Sequence, residues 1–120
     1  MKYEEMSDFE INRKVATVLG IEMGVVQSSN NKFGTVNLLN GRIFNPCNNP
    51  SDAWPIIVDN EISMVADGEG YYAIPPISHF ATGGVSGRFD FESEYAVFGY
   101  DTPRAAMICF LKMKDAEKSA

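Results

Sequence analysis

An α+β fold is what this sequence predicts: a mostly antiparallel sheet of four to six strands, packed with two longer helices (8–19 and 102–114) and one short helix (52–59). Three observations carry that expectation. Both ends of the chain hold apolar stripes at helical spacing behind recognisable caps. The middle consists of short runs rich in β-branched and aromatic residues, several alternating polar and apolar. Between those runs lie turn signals such as Asn40-Gly41, Asp67-Gly68 and Gly83-Gly84.

In the first helix, Ser7-Asp8-Phe9-Glu10 reads as a capping box, with Met6 and Ile11 placed for a hydrophobic staple. Ile11, Val15, Val18 and Leu19 form the apolar stripe, and Asn12, Arg13 and Lys14 are expected to meet water. Gly20 is the stop. Val25-Val26-Gln27 and Phe33 to Leu39 then read as two strands around a polar turn at 28–31, with Arg42-Ile43-Phe44 a short third. Leu38-Leu39 breaks the alternation and leaves the register there open.

Residues 45–58 are the least ordinary by composition: three prolines, three asparagines, Cys47 and the sole tryptophan, Trp54. The Asn-Pro pairs favour extended or turn backbone. Ser51 is the expected cap of helix 52–59, which puts Pro55 near the end of the first turn, where its missing N–H costs least. Asp59-Asn60 ends the element, since both residues tolerate left-handed backbone. Trp54 covers the sheet on the preferred reading and anchors a partner on the other.

Further along, Glu61 to Ala66, Tyr71 to Ile74 and 94–99 are expected strands. Pro75-Pro76 stops the second of them, 78–90 is mainly loop, and Arg88 to Glu92 alternates again. Thr102-Pro103 then opens the last helix, with Thr102 as cap. Ala105 to Leu111 leaves it apolar nearly all round, the mark of a buried helix. Lys112, Lys114 and Lys118 sit at its end, where the helix dipole favours cations.

Length and charge narrow the function classes. With 120 residues the chain is expected to form a single domain, 1–120. A net charge of −6 speaks against a duplex-binding protein. The two cysteines lie far apart with no Cys or His cluster, so no metal, cofactor or disulfide framework is indicated, and sparse cysteines suit a reducing cytoplasm. No apolar run approaches the roughly 20 residues that span a bilayer, so no membrane partner is expected. From 46 to 103 nine acidic residues face one basic residue, Arg88, a distribution able to steer a basic partner.

Catalytic signatures are scarce, and no catalytic residue is assigned. His79 is the single histidine, and Cys47 would need it as a base to act as a nucleophile. The binding candidates are Asn48, Asp52, Trp54 and Arg104, grouped where the Asn/Pro loop meets the last helix. An Arg104–Asp52 pair that ties loop to helix is the plain reading of two of them.

Three segments, Met6 to Asn12, Cys47 to Val58 and Thr102 to Ile108, resemble in order the NinX-type family of small phage and prophage proteins, which takes its name from the nin region of lambda-like phages. The resemblance implies a bacterial cytoplasmic setting and an accessory phage gene, and it implies no activity. The stretch 67–94 departs from it, being longer and richer in glycine and aromatics. The leading expectation is a non-catalytic module binding a host or phage protein; the alternative is a small-ligand or enzyme site between loop 45–55 and the last helix. Tyr71, Tyr72, Phe80, Phe89, Phe91 and Tyr95 exceed what one core absorbs, which points to a homodimer through 67–95.

Overall fold

The computed structural model describes residues 2–24, 34–66, 68–76, 97–99 and 103–119. Helix α1 spans Asp8–Leu19, α2 Pro50–Asp59 and α3 Arg104–Ser119. Strands β1 (Val36–Asn37) and β2 (Ile43–Phe44) pair antiparallel, and β3 (Ser63–Ala66), β4 (Tyr71–Ile74) and β5 (Val97–Gly99) form a second antiparallel sheet with β4 in the middle. The α+β class holds. The five strands among the described residues are divided between two sheets rather than joined in one. The expected strand at 25–27, the whole of loop 78–90, the alternating run 88–92 and Thr102 lie outside the described residues.

Helix α1 forms as its cap signals dictate. Ser7 Oγ accepts from Glu10 N at 3.2 Å, and Gly20 takes left-handed backbone at φ 74°. Gly20 N donates to Thr17 O and Ile21 N to Ala16 O, the paired closing bonds of a Schellman end. One assignment fails: Asn12 is completely buried, not solvated.

The β1–β2 hairpin settles the register at Leu38-Leu39. Leu38 is 8 % exposed and Leu39 63 %, so alternation from Val36 continues unbroken and Leu39 is simply the outward residue. Residues 22–24 run alongside: Gly24 N donates to Asn37 O at 2.8 Å and Leu39 N to Glu22 O at 2.9 Å.

Helix α2 starts two residues earlier than expected. Asn49, not Ser51, is its cap, its Oδ1 accepting from Ser51 N at 3.0 Å, and Pro50 fills the first helical position. Proline has no N–H to leave unsatisfied there, so the earlier start is cheaper. The shift moves Pro55 into the second turn, where the missing donor falls to the exposed Ser51 end of the helix. At the other end Asn60 has φ −104°, and Glu61 carries the left-handed conformation at φ 54°. Glu61 N donates to Val58 O and Ile62 N to Ile57 O, the same closing pattern as α1 but without a glycine.

Helix α3 is the core. Residues 105–111 are all buried, nearly two full turns, enclosed by α1, α2 and the β4–β5 face. That contact is close because the facing residues are small. Ala73 and Val97 are paired neighbours and Gly99 lies two positions beyond Val97 on the same face. A side-chain carbon on Gly99 would stand 2.6 Å from Ala105 Cβ. On the opposite face Tyr72 and Phe98 meet edge to face, with ring centroids 5.0 Å apart. Beyond the expected end at 114, α3 continues to Ser119, helped by a Lys114–Glu117 pair one turn apart. Of the surplus aromatics, Tyr71 is exposed and Tyr72 half-buried; Phe80, Phe89, Phe91 and Tyr95 lie outside the described residues.

Candidate functional site

Loop 45–49 closes a turn on itself, Asn48 N and Asn49 N both donating to Asn45 O, but the turn leaves Cys47 N without a partner inside the loop. Its partner is Asn12. From the buried face of α1, Asn12 Nδ2 donates to Gly34 O and to Asn45 Oδ1, both at 2.7 Å, while its Oδ1 accepts from Cys47 N at 3.0 Å. Three separate chain segments are joined by one amide. Gly34 is forced to be glycine twice over: its φ is 76°, and a side-chain carbon would press to 2.8 Å from Asp8 Cβ.

The network extends in two directions. Asn48 Nδ2 donates to Asn45 Oδ1 at 3.1 Å and to Asp8 Oδ2 at 3.0 Å. The other oxygen of Asp8 accepts from Arg104 Nη1 at 2.5 Å. Arg104 Nη2 donates to Met6 O at 2.6 Å and Glu4 O at 3.2 Å, with Tyr3 O at 3.5 Å, so one guanidinium closes the carbonyl end of the turn Tyr3–Glu5. On the far side Asn45 N donates to Asp52 Oδ2 at 2.9 Å, and Arg42 Nη2 lies 3.6 Å from Asp52 Oδ1.

The expected Arg104–Asp52 pair is therefore absent: Arg104 is joined to Asp8, and Asp52 to Arg42. Asn48, Asp52 and Arg104 do enter one network, through Asp8 and Asn45. Trp54 does not cover the sheet. It is 63 % exposed on the outer side of α2, one turn from Val58, which is also exposed.

The N-terminal turn is pinned twice more. Tyr3 Oη donates to Asp115, and Lys112 Nζ lies 2.7 Å from Glu4 Oε2. Burial, then the bond to Asp115 and its charge, raise the Tyr3 hydroxyl above its ordinary value. At Glu4 burial works upward, but the Lys112 bond and the nearby cations leave the carboxyl below its usual range.

A family model described as Bacteriophage P22, NinX matches residues 2–114. The chain belongs to that family. No curated protein and no solved structure matches it. The three segments that resemble NinX proteins by sequence turn out to meet in space: Asp8 and Asn12 from the first, Cys47, Asn48 and Asp52 from the second, Arg104 from the third. In this NinX protein they form a joint between helices, whose polar groups are spent on one another.

Nucleophilic chemistry has little footing at the joint. Cys47 is buried, and its thiol is pushed up to about 12, by burial first and by Asp8 second, against a smaller opposing pull from Arg104. Such a thiol stays protonated near neutrality. His79, the base it would need, lies outside the described residues. Among the described residues no group of three or more His, Cys, Asp or Glu gathers to hold a metal, and no helix is long and apolar enough to cross a membrane.

Asn12, Asp8 and Gly34 are the network residues that sequence reasoning passed over. A signal existed for Asn12. Asparagine is a poor helix-interior residue, and here it lies one turn from Asp8 and beside apolar Ile11, with an Asn/Pro loop downstream whose prolines prevent regular backbone pairing.

Proposed function

We propose that this NinX protein is a phage accessory protein acting in the bacterial cytoplasm as a non-catalytic, protein-binding module, with Trp54 as its anchor. The observation that carries the reading is the exposure of Trp54 on a helix that is otherwise firmly held. Asn49 caps α2, Asp52 ties its first turn to Asn45 and Arg42, and Ala53, Ile56 and Ile57 bury its inner face. A large aromatic presented on such a rigid support loses little entropy on binding, the pattern of interface hot spots. Asp59 and Glu61 are exposed at and just beyond the C-terminal end of the helix. The matching partner surface is an apolar pocket with a basic rim.

The alternative, a small-ligand or enzyme site between loop 45–55 and α3, finds less support, because Asn48, Asp52 and Arg104 are already engaged by Asp8, Asn45, Arg42 and the carbonyls of the N-terminal turn. Co-purification from infected cells, followed by titration of the captured protein, tests the choice. Trp54→Ala should cost about 2 kcal/mol or more of binding, roughly thirtyfold in Kd, while leaving thermal stability almost unchanged. Binding should also weaken with salt. A partner indifferent to Trp54→Ala removes the anchor from the reading. Metabolite stabilisation that disappears in Arg104→Ala favours the alternative.

A further inference from the structure

Away from both the joint and Trp54, a cleft of about 460 Å³ opens between α1 and α3. One wall is a helical stripe of α1: Glu10, Arg13, Lys14, Thr17 and Val18, about 12 Å of helix. Leu111 and Asp115 of α3 face it, and Tyr3 closes it. The floor is apolar, because Tyr3 and Leu111 are buried here and Val18 lines the edge.

The charged groups on the rim are unequally engaged. Glu10 belongs to the capping box, where its Oε1 lies 3.4 Å from Ser7 Oγ, and Asp115 accepts the Tyr3 hydroxyl. Neither the Arg13 nor the Lys14 side chain makes a hydrogen bond or ion pair among the described residues. Arg13 is instead held by the ring of Phe9, its Cζ 5.7 Å from the ring centroid. This cation–π contact leaves the guanidinium N–H donors unspent among the described residues, a fork suited to a carboxylate or phosphate.

We infer that the α1–α3 cleft binds a small amphipathic anion, its carboxylate or phosphate head on Arg13 and Lys14 and its apolar body along Val18 and Leu111. The volume suits such a molecule, since small-ligand pockets span about 300–1,000 Å³. The negative charge of Asp115 keeps the head at the Arg13–Lys14 side.

The test titrates the full chain with octanoate and phenyl phosphate, beside octanol, phenol and inorganic phosphate, by thermal shift and calorimetry. The amphipathic anions should raise Tm saturably, more than the uncharged or headgroup-only controls. Arg13→Gln should weaken them at least about tenfold, as loss of a charge-assisted hydrogen bond does, and Lys14→Gln less. Both side chains leave the core untouched, so the variants fold. Emission of Trp54, the sole tryptophan, should not change, and Trp54→Ala should bind the anions equally well, which keeps this outcome separate from the fate of the protein-binding surface. No saturable shift, a shift equalled by octanol, or one that survives Arg13→Gln with Lys14→Gln overturns the inference.

Discussion

Helix α3 and the Asn12 joint hold the same molecule together by opposite means. Around α3, buried apolar residues from 105 to 111 gain stability from area and close packing, which are non-directional. At the joint, Asn12 gains it from three bonds of defined geometry to Gly34, Asn45 and Cys47. Shape tolerates approximation, because neighbours relax around a changed volume. Hydrogen bonding inside a protein does not, because each orphaned partner keeps its full desolvation cost. The two regions should thus respond differently to the same kind of substitution.

The largest effect belongs to α3. Phe110→Ala should cost about 3–5 kcal/mol, measured by urea titration, and a loss below about 1 kcal/mol would place the ring outside the core. Phe110→Leu should recover a good part of that loss, since apolar volume is restored. Next comes the joint: Asn12→Ala should cost about 2–4 kcal/mol by stranding Cys47 N and Gly34 O, while Asn45 Oδ1 keeps Asn48 Nδ2. Here Asn12→Leu, of similar size, should recover nothing. If leucine rescues Asn12 as well as it rescues Phe110, the joint is ordinary packing and the contrast collapses.

A pH series sharpens the comparison, because each region buries one thiol. Cys47 at the joint and Cys109 in α3 are both raised from 9.0 to about 12, each mainly by burial. A folded-state pKa above the unfolded one means the native protein holds its proton longer. The associated stability is complete below pH 9 and is lost as pH rises from 9 toward 12. Each thiol should steepen the decline by up to about 1.4 kcal/mol per pH unit in that window. Denaturation profiles of Cys47→Ala and Cys109→Ala should each be shallower than wild type above pH 9, whatever their absolute stability. A wild-type slope retained in the double variant would show that neither thiol governs it.

The smallest effect concerns two helix ends closed by the same pair of bonds, Gly20 after α1 and Glu61 after α2. Glu61 holds left-handed backbone that glycine adopts without steric penalty. Glu61→Gly should therefore stabilise by about 0.5–1 kcal/mol, seen as a rise in Tm. Gly20→Ala should move the other way.

By itself the sequence determined what depends on neighbours within a turn or two. The bounds of α1, the burial of α3, the Asn40-Gly41 turn and the stop at Pro75-Pro76 all follow from caps, periodicity and backbone restriction, which act locally. It also placed Asn48, Asp52 and Arg104 in one neighbourhood, though with the wrong pairing. Only the tertiary structure decided that Asn12 turns inward, that Arg104 takes Asp8 while Asp52 takes Arg42, that Trp54 faces out, and that the strands divide into two sheets. Those outcomes depend on groups tens of residues apart competing for the same donors and the same apolar cover. A helix face has room for more than one such arrangement, and the winner is set by which packing leaves no buried amide unpaired.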